Sequence, residues 1–172
     1  MIRGDREVDV EAWATVVGYL RERHGAKVRY LQGCKANDPL VQSQLAAVAQ
    51  LERDSGFIGL EATKDALAVS DLIISDRYHS AIFAIEVGTP VVSLASTTHK
   101  TAGLFDGFEY GLKVQPMLSK ANLSDFLKTI DQAFTNQREL SMQLEARAVS
   151  IRAEVRDDYR NALKDFESLL LR

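Results

Sequence analysis

Short apolar runs alternate with longer stretches of helical period along most of the chain, and this alternation sets the first expectation of its architecture. Asp9 can cap a helix in which Trp13, Val16, Val17 and Leu20 recur at helical spacing, and Gly25 closes it. Arg21, Arg23 and His24 suit the negative end of that helix dipole, so His24 reads as a surface residue at the helix end. Lys27–Leu31 predicts a strand, Gln32–Asp38 the loop at its carboxyl end, and Leu40 to Arg53 a helix with Pro39 near its start. Phe57–Leu60 predicts a further strand, and Lys64–Val69 a helix capped by Thr63.

The centre of the pattern is Asp71–Lys100. An apolar run (Asp71–Ser75) leads into a turn carrying Asp76, Arg77 and His79, then a helix to Val87. Gly88-Thr89-Pro90 punctuates it before a second apolar run, Val91–Leu94, and a hydroxyl-rich loop ending at Lys100. Two short apolar runs joined by one helix predict a βαβ unit with parallel strands. Beyond it, a short helix to Phe105, a small strand over Gly111–Val114 and a helix opened by Ser119 or Asn122 are expected. That last helix sets Leu123, Phe126, Leu127, Ile130 and Phe134 on one face. From Gln137 to Arg172 there is no Gly or Pro, and sparse apolar positions predict a long amphipathic helix, either continuous or broken once. It either packs back on the domain or pairs with a partner chain, as in a homodimer. The expected organisation is an α/β domain over residues 1–136 and a helical extension over 137–172.

Composition narrows the class. The 172 residues fit one domain, and 46% hydrophobic with 26% charged residues is ordinary for a globular protein. A formal charge of −3 argues against a dedicated nucleic-acid surface. The single cysteine, Cys34, cannot form an internal disulfide and suits a reducing compartment. No apolar run is long enough to span a bilayer, and Met1-Ile2-Arg3 does not open a signal peptide, so a cytoplasmic location is expected.

The candidate chemistry collects at the carboxyl ends of the expected strands, where open α/β sheets bind ligands. Arg77 and His79 lie in the turn before a helix, where unsatisfied N–H groups and the helix dipole favour a phosphate or carboxylate. Arginine adds a planar fork for such an anion, and histidine a proton donor or acceptor near neutral pH. The same two residues would equally serve as a surface ion pair and a helix cap. Asp76 could orient either. Lys100 and the hydroxyls from Ser93 to Thr98 could hold a phosphate or sugar, or simply cap the next helix through Thr97 or Thr98. Glu86 suits a solvated or structural role, with a ligand hydroxyl as the other reading. Cys34 reads as an ordinary loop thiol. No set of His, Cys and carboxylates has metal-ligand spacing, and no glycine-rich nucleotide loop is present.

The run SDLIISDRYHSAIFAIEVGTPVVSLASTTHKTAGLFDGF resembles the carboxyl-terminal half of the polysaccharide pyruvyl transferase family. The positions that carry the likeness are Arg77, His79, Gly88, Pro90, Lys100, Gly103 and Leu104, and it extends from about Ile2 to Lys128. The resemblance implies a Rossmann-like parallel sheet with flanking helices, one lobe of a two-lobed fold like that of the B-type glycosyltransferases. It implies transfer of the pyruvyl group of phosphoenolpyruvate to a hydroxyl of a cell-surface glycan, with no cofactor. Arg77 would bind the donor's phosphate or carboxylate, His79 would act as the acid, and Lys100 would be a second anion contact. Family members are about twice this length, so an amino-terminal lobe would supply the other wall of the cleft. Ile2-Arg3-Gly4 would then end the first strand, with Arg3 a third anion contact. Two other readings compete: the nucleotide-sugar-binding half of a glycosyltransferase, with Glu86 gripping a ribose, and a non-catalytic domain that assembles through its terminal helix.

Overall fold

The structure, a computed structural model, describes residues 8–31, 38–53, 59–95, 99–107 and 109–170. The Asp9 carboxylate accepts the Ala12 N–H at 3.0 Å and opens α1 (Val10–His24); Gly25, at φ 61°, closes it. The same carboxylate accepts the Lys120 N–H at 3.0 Å, tying the helix start to a distant loop. These bonds, that to Ala12 foremost, hold the Asp9 carboxyl below its ordinary range.

The strand expected over Lys27–Leu31 is shorter, β1 (Arg29–Tyr30). The next helix, α2 (Asp38–Ala49), ends earlier than its pattern suggested, because Gln50 takes a left-handed φ of 49°. Arg21 then donates to the carbonyls of Ala49 at 2.7 Å and Gln50 at 2.9 Å, satisfying the helix end from α1. Arg53, expected to be helical, lies in β2 (Glu52–Arg53), which pairs parallel with β1. Leu60 likewise is not in a strand: it begins α3 (Leu60–Ala68), capped at Gly59 rather than at Thr63. Thr63 is buried inside the helix, its hydroxyl turned back to the Gly59 carbonyl at 3.0 Å. Phe57 and Ile58, like the loop with Cys34, fall outside the described residues.

The central unit is as its pattern predicts: β3 (Ile73–Ser75), α4 (Tyr78–Val87) and β4 (Val91–Ser93). The strands pair parallel, Ile73 with Val91, Ile74 with Val92 and Ser75 with Ser93. Successive strand residues point to opposite faces. Ile73 and Val91 therefore enter a cluster with Ala81, Ala84 and Ile85 of α4. Ile74, Val92 and Leu94 enter another with Trp13 and Val16 of α1 and with Phe126 and Ile130 of α6 (Leu123–Thr135). Apolar runs without alternation are the mark of parallel strands covered on both faces. The small strand expected at Gly111–Val114 is displaced by one residue to a single bridge, Gln115 beside Leu94. Upstream of it, the Tyr110 hydroxyl donates to the Val91 carbonyl at 3.1 Å and accepts its N–H at 2.8 Å, and burial pushes that phenol up to about 12.

Two helices complete the chain's second face. The short α5 (Lys100–Asp106) buries Thr101 and Phe105. The terminal segment is one unbroken helix, α7 (Gln137–Leu170), whose first half packs on α4 through Leu144 and Ala148, while Leu140 enters the cluster of α1 and α6. Burying each of these leucines stabilises the fold by about 2 kcal/mol. The second half carries Val155, Tyr159, Leu163 and Phe166 exposed along one face, the stripe on which any pairing of this helix would have to occur. Among the described residues, no helix is long and apolar enough to cross a membrane.

His24 is not the surface residue its position suggested. Its ring stacks on Phe134 at 4.1 Å and its Nε2 lies 2.8 Å from Asp131, which also accepts from the Tyr19 hydroxyl at 2.8 Å. Tyr19 first, and then His24, hold the Asp131 carboxyl below its ordinary range. The group latches α1 to α6.

Gly88 joins α4 to β4 at φ 72°, with its carbonyl accepting the Ser141 hydroxyl at 2.5 Å. A Cβ there would stand 2.8 Å from Cγ of Glu145, a side chain able to swing away, so backbone strain decides the outcome. Gly88→Ala should therefore cost about 1–2 kcal/mol in urea unfolding. Adding Glu145→Ala should recover little of it; full recovery would show that the clash dominates. Removing residues 152–172 should move the thermal midpoint by less than ~2 °C in dilute solution. A larger fall would show the exposed stripe to be covered in solution.

Candidate functional site

The carboxyl ends of β3 and β4 place the candidate residues at one edge of the sheet. Asp76, directly after β3, is fully buried. Arg77 follows in extended backbone (φ −95°, ψ 126°) at the N-cap of α4, half-buried, its N–H donating to the Ser75 hydroxyl at 3.1 Å. Its carbonyl receives the Ala81 N–H at 3.2 Å and so starts the helix. His79, in the first turn, is exposed, its ring edge-on to Tyr78 with centroids 5.8 Å apart. The first turn of α4 thus presents an N-terminus without any acidic residue in it, a positive end beside a guanidinium and an imidazole.

From the neighbouring strand, Ser93 ends β4, and the chain returns at His99 to start α5 with Lys100 exposed at its first position. His99 occupies the N-cap; Thr97 and Thr98, expected to cap this helix, lie outside the described residues, as does Arg3. Parallel pairing of β3 with β4 sets the N-terminus of α4, with Arg77 and His79, beside the end of β4 from which the chain leads on to α5 and Lys100.

Glu86 stands elsewhere. It lies seven residues beyond His79 along α4, an axial distance of about 10 Å, toward the opposite edge of the sheet. There Lys64 of α3 holds it at 2.9 Å, and the carboxylate in turn keeps the Lys64 amine protonated to higher pH than usual. The residue is a tie between α3 and α4.

Sequence reasoning overlooked what lies beneath the first turn of α4. Ser75 and Ser93 are register partners and share the face of Ile73 and Val91, the face that α4 covers. Thr101, one turn before Phe105, turns to the same cluster. With Ser80 of α4, four hydroxyl side chains are buried here: Ser75, Ser80, Ser93 and Thr101. Their signal in the sequence is a hydroxyl at a position whose period assigns it to an apolar face. Among the described residues, no three His, Cys, Asp or Glu side chains form a group able to hold a metal ion. A cleft of about 610 Å³ opens between the ends of α1 and α3 and the starts of β1 and β3. It lies mainly at the amino ends of the strands, and neither Arg77, His79 nor Lys100 lines it.

No curated protein and no solved structure matches this chain. The family model of the polysaccharide pyruvyl transferases matches residues 3–98, more than half of the sequence, from before α1 through β4. The match includes Arg77 and His79 and stops two residues short of Lys100. The β3–α4–β4 unit, with Arg77 and His79, lies inside the matched segment, and the chain belongs to the polysaccharide pyruvyl transferase family.

Proposed function

We propose that this chain supplies the donor side of a pyruvyl transfer site, using phosphoenolpyruvate and delivering its three-carbon skeleton to a sugar of a cell-surface glycan or its precursor. The observation that carries this reading is the placing of Arg77 at the N-cap of α4 and His79 in its first turn, within the family-matched segment. The guanidinium and the helix N-terminus attract the donor's carboxylate or phosphate, and Lys100 adds charge from the next loop. The His79 imidazolium gives its proton to the methylene carbon of the donor, which leaves C2 electrophilic. A sugar hydroxyl adds to C2 and loses its proton. A second hydroxyl of the same sugar then replaces phosphate, and the product is a cyclic pyruvate ketal. The exposure of His79 leaves it open to an acceptor arriving from solvent or from a second lobe closing over the rim. Rossmann-like, B-type two-lobed architecture and a cytoplasmic setting, where phosphoenolpyruvate is available, belong to this proposal.

The nucleotide-sugar reading is disfavoured by Glu86, the carboxylate it relied on, which is bound to Lys64 away from the rim. Two substitutions test the preferred reading. Arg77→Ala should lower phosphoenolpyruvate affinity at least about a hundredfold in calorimetry, since a charge-assisted bond to an anion contributes about 1.5–3 kcal/mol and the fork makes two. Unchanged affinity would remove Arg77 from the donor site. His79→Asn should lower phosphate release by the active enzyme about 10²–10⁴-fold while donor affinity stays within about threefold. A wild-type rate would exclude the acid role.

A further inference from the structure

We infer that Ser93 and Thr101 form the inner wall of an anion pocket, their two hydroxyls taking one oxygen of the ligand held by Arg77 and the first turn of α4. The inference rests on the donor-site reading and adds to it the residues that fix the anion's depth and orientation. Three observations carry it. Ser93 is 4% and Thr101 0% exposed, and among the described residues neither hydroxyl oxygen has a hydrogen-bond partner. A buried hydroxyl without a partner is costly, and native interiors rarely keep one, let alone two on one face of one cluster. The register then places them: Ser93 is opposite Ser75, whose hydroxyl accepts the Arg77 N–H at 3.1 Å, so Ser93 lies one strand away from the residue that leads into the N-cap. Finally, the sheet face that carries Ser93 is the one α4 covers, and α5, which buries Thr101, packs against α4.

A valine or alanine would fill either position without the loss, as Val91 does two residues earlier on the same face. Hydroxyls there make sense if something else completes their bonding. An anion suits the surroundings: positive helix end, guanidinium, and two O–H donors able to turn toward one acceptor oxygen. Both oxygens are covered, and α5 buries Thr101 and Phe105 with Leu104 packed partly against the same cluster. Entry of an anion from the rim therefore requires this seven-residue helix to shift outward.

The test uses this chain with phosphoenolpyruvate, pyruvate and inorganic phosphate as probes, measuring affinity by calorimetry and the thermal midpoint with and without each probe. Ser93→Ala and Thr101→Val should each weaken binding of phosphoenolpyruvate about tenfold, and Thr101→Ser should bind as wild type. Without ligand, both variants should melt at or above the wild-type midpoint, because an orphaned hydroxyl has been removed; a purely structural hydroxyl would lower it. Affinities within twofold of wild type in both variants would overturn the inference, and with Arg77→Ala still inactive in binding they would leave the donor reading standing. Pyruvate or phosphate bound through the hydroxyls, with phosphoenolpyruvate refused, would keep the pocket and remove the proposed donor. A wild-type chain that binds none of the three would overturn both.

Discussion

Everything at the rim depends on three parallel register pairs, Ile73 with Val91, Ile74 with Val92 and Ser75 with Ser93. Parallel strands cannot be joined by a tight turn, so the chain must leave β3, cross in a helix and return. That requirement puts the N-terminus of α4 directly after the carboxyl end of β3, and the loop to α5 directly after the carboxyl end of β4. Arg77 follows β3 and Lys100 follows β4, 23 positions later in the sequence.

The crossover is held from both sides. On one face, α4 presents Ala81, Ala84 and Ile85 to the strands, and α7 closes over it with Leu144 and Ala148. Small residues on α4 let it sit close to the sheet, which brings its first-turn backbone near the strand ends. On the other face α1 and α6 cover Val92 and Leu94, and their mutual latch of Tyr19, His24 and Asp131 is a polar tie at the edge of an apolar contact. At the far end Gly88 accepts a left-handed backbone so that Thr89 and Pro90 can enter β4 without a break in packing. The rim is polar; the opposite edge of the unit is bound tightly to α3 and α7 through Glu86, Thr89 and Gly88. A site needs rigid supports of that kind behind it.

The donor proposed for the rim, phosphoenolpyruvate, carries both a carboxylate and a phosphate on three carbons. Such a ligand has more negative charge than a single arginine can neutralise. The basic groups here are staged by depth, with Arg77 half-buried at the N-cap and His79 and Lys100 exposed outside it. Anion binding would draw on the inner group, while proton transfer to carbon needs a side chain with access to both ligand and solvent. The division of burial between Arg77 and His79 matches those two tasks.

Periodicity and capping chemistry were enough to locate α1, the β3–α4–β4 unit, α6 and the long α7, because each couples a long apolar period or a strong apolar run to a clear stop. The Asp9 and Gly25 caps and Gly88 act through local backbone geometry, so they can be read from the residues alone. The pairing of Glu52–Arg53 with β1, the helical state of Leu60 and the displaced bridge at Gln115 could not, since polar two-residue strands take their identity from the neighbour that supplies the hydrogen bonds. Arg77 and His79 were visible in a turn between a strand and a helix, whereas the part of Ser75 and Thr101 was hidden, and Ser93 read both as the end of an apolar run and as one of several loop hydroxyls open to a phosphate or to solvent. A hydroxyl's burial depends on which elements close over it. The chain determined its central crossover and the residue types at its ends; packing alone decided which of those side chains face solvent and which are sealed beneath the helix, because burial is a property of surfaces brought together and not of any one segment.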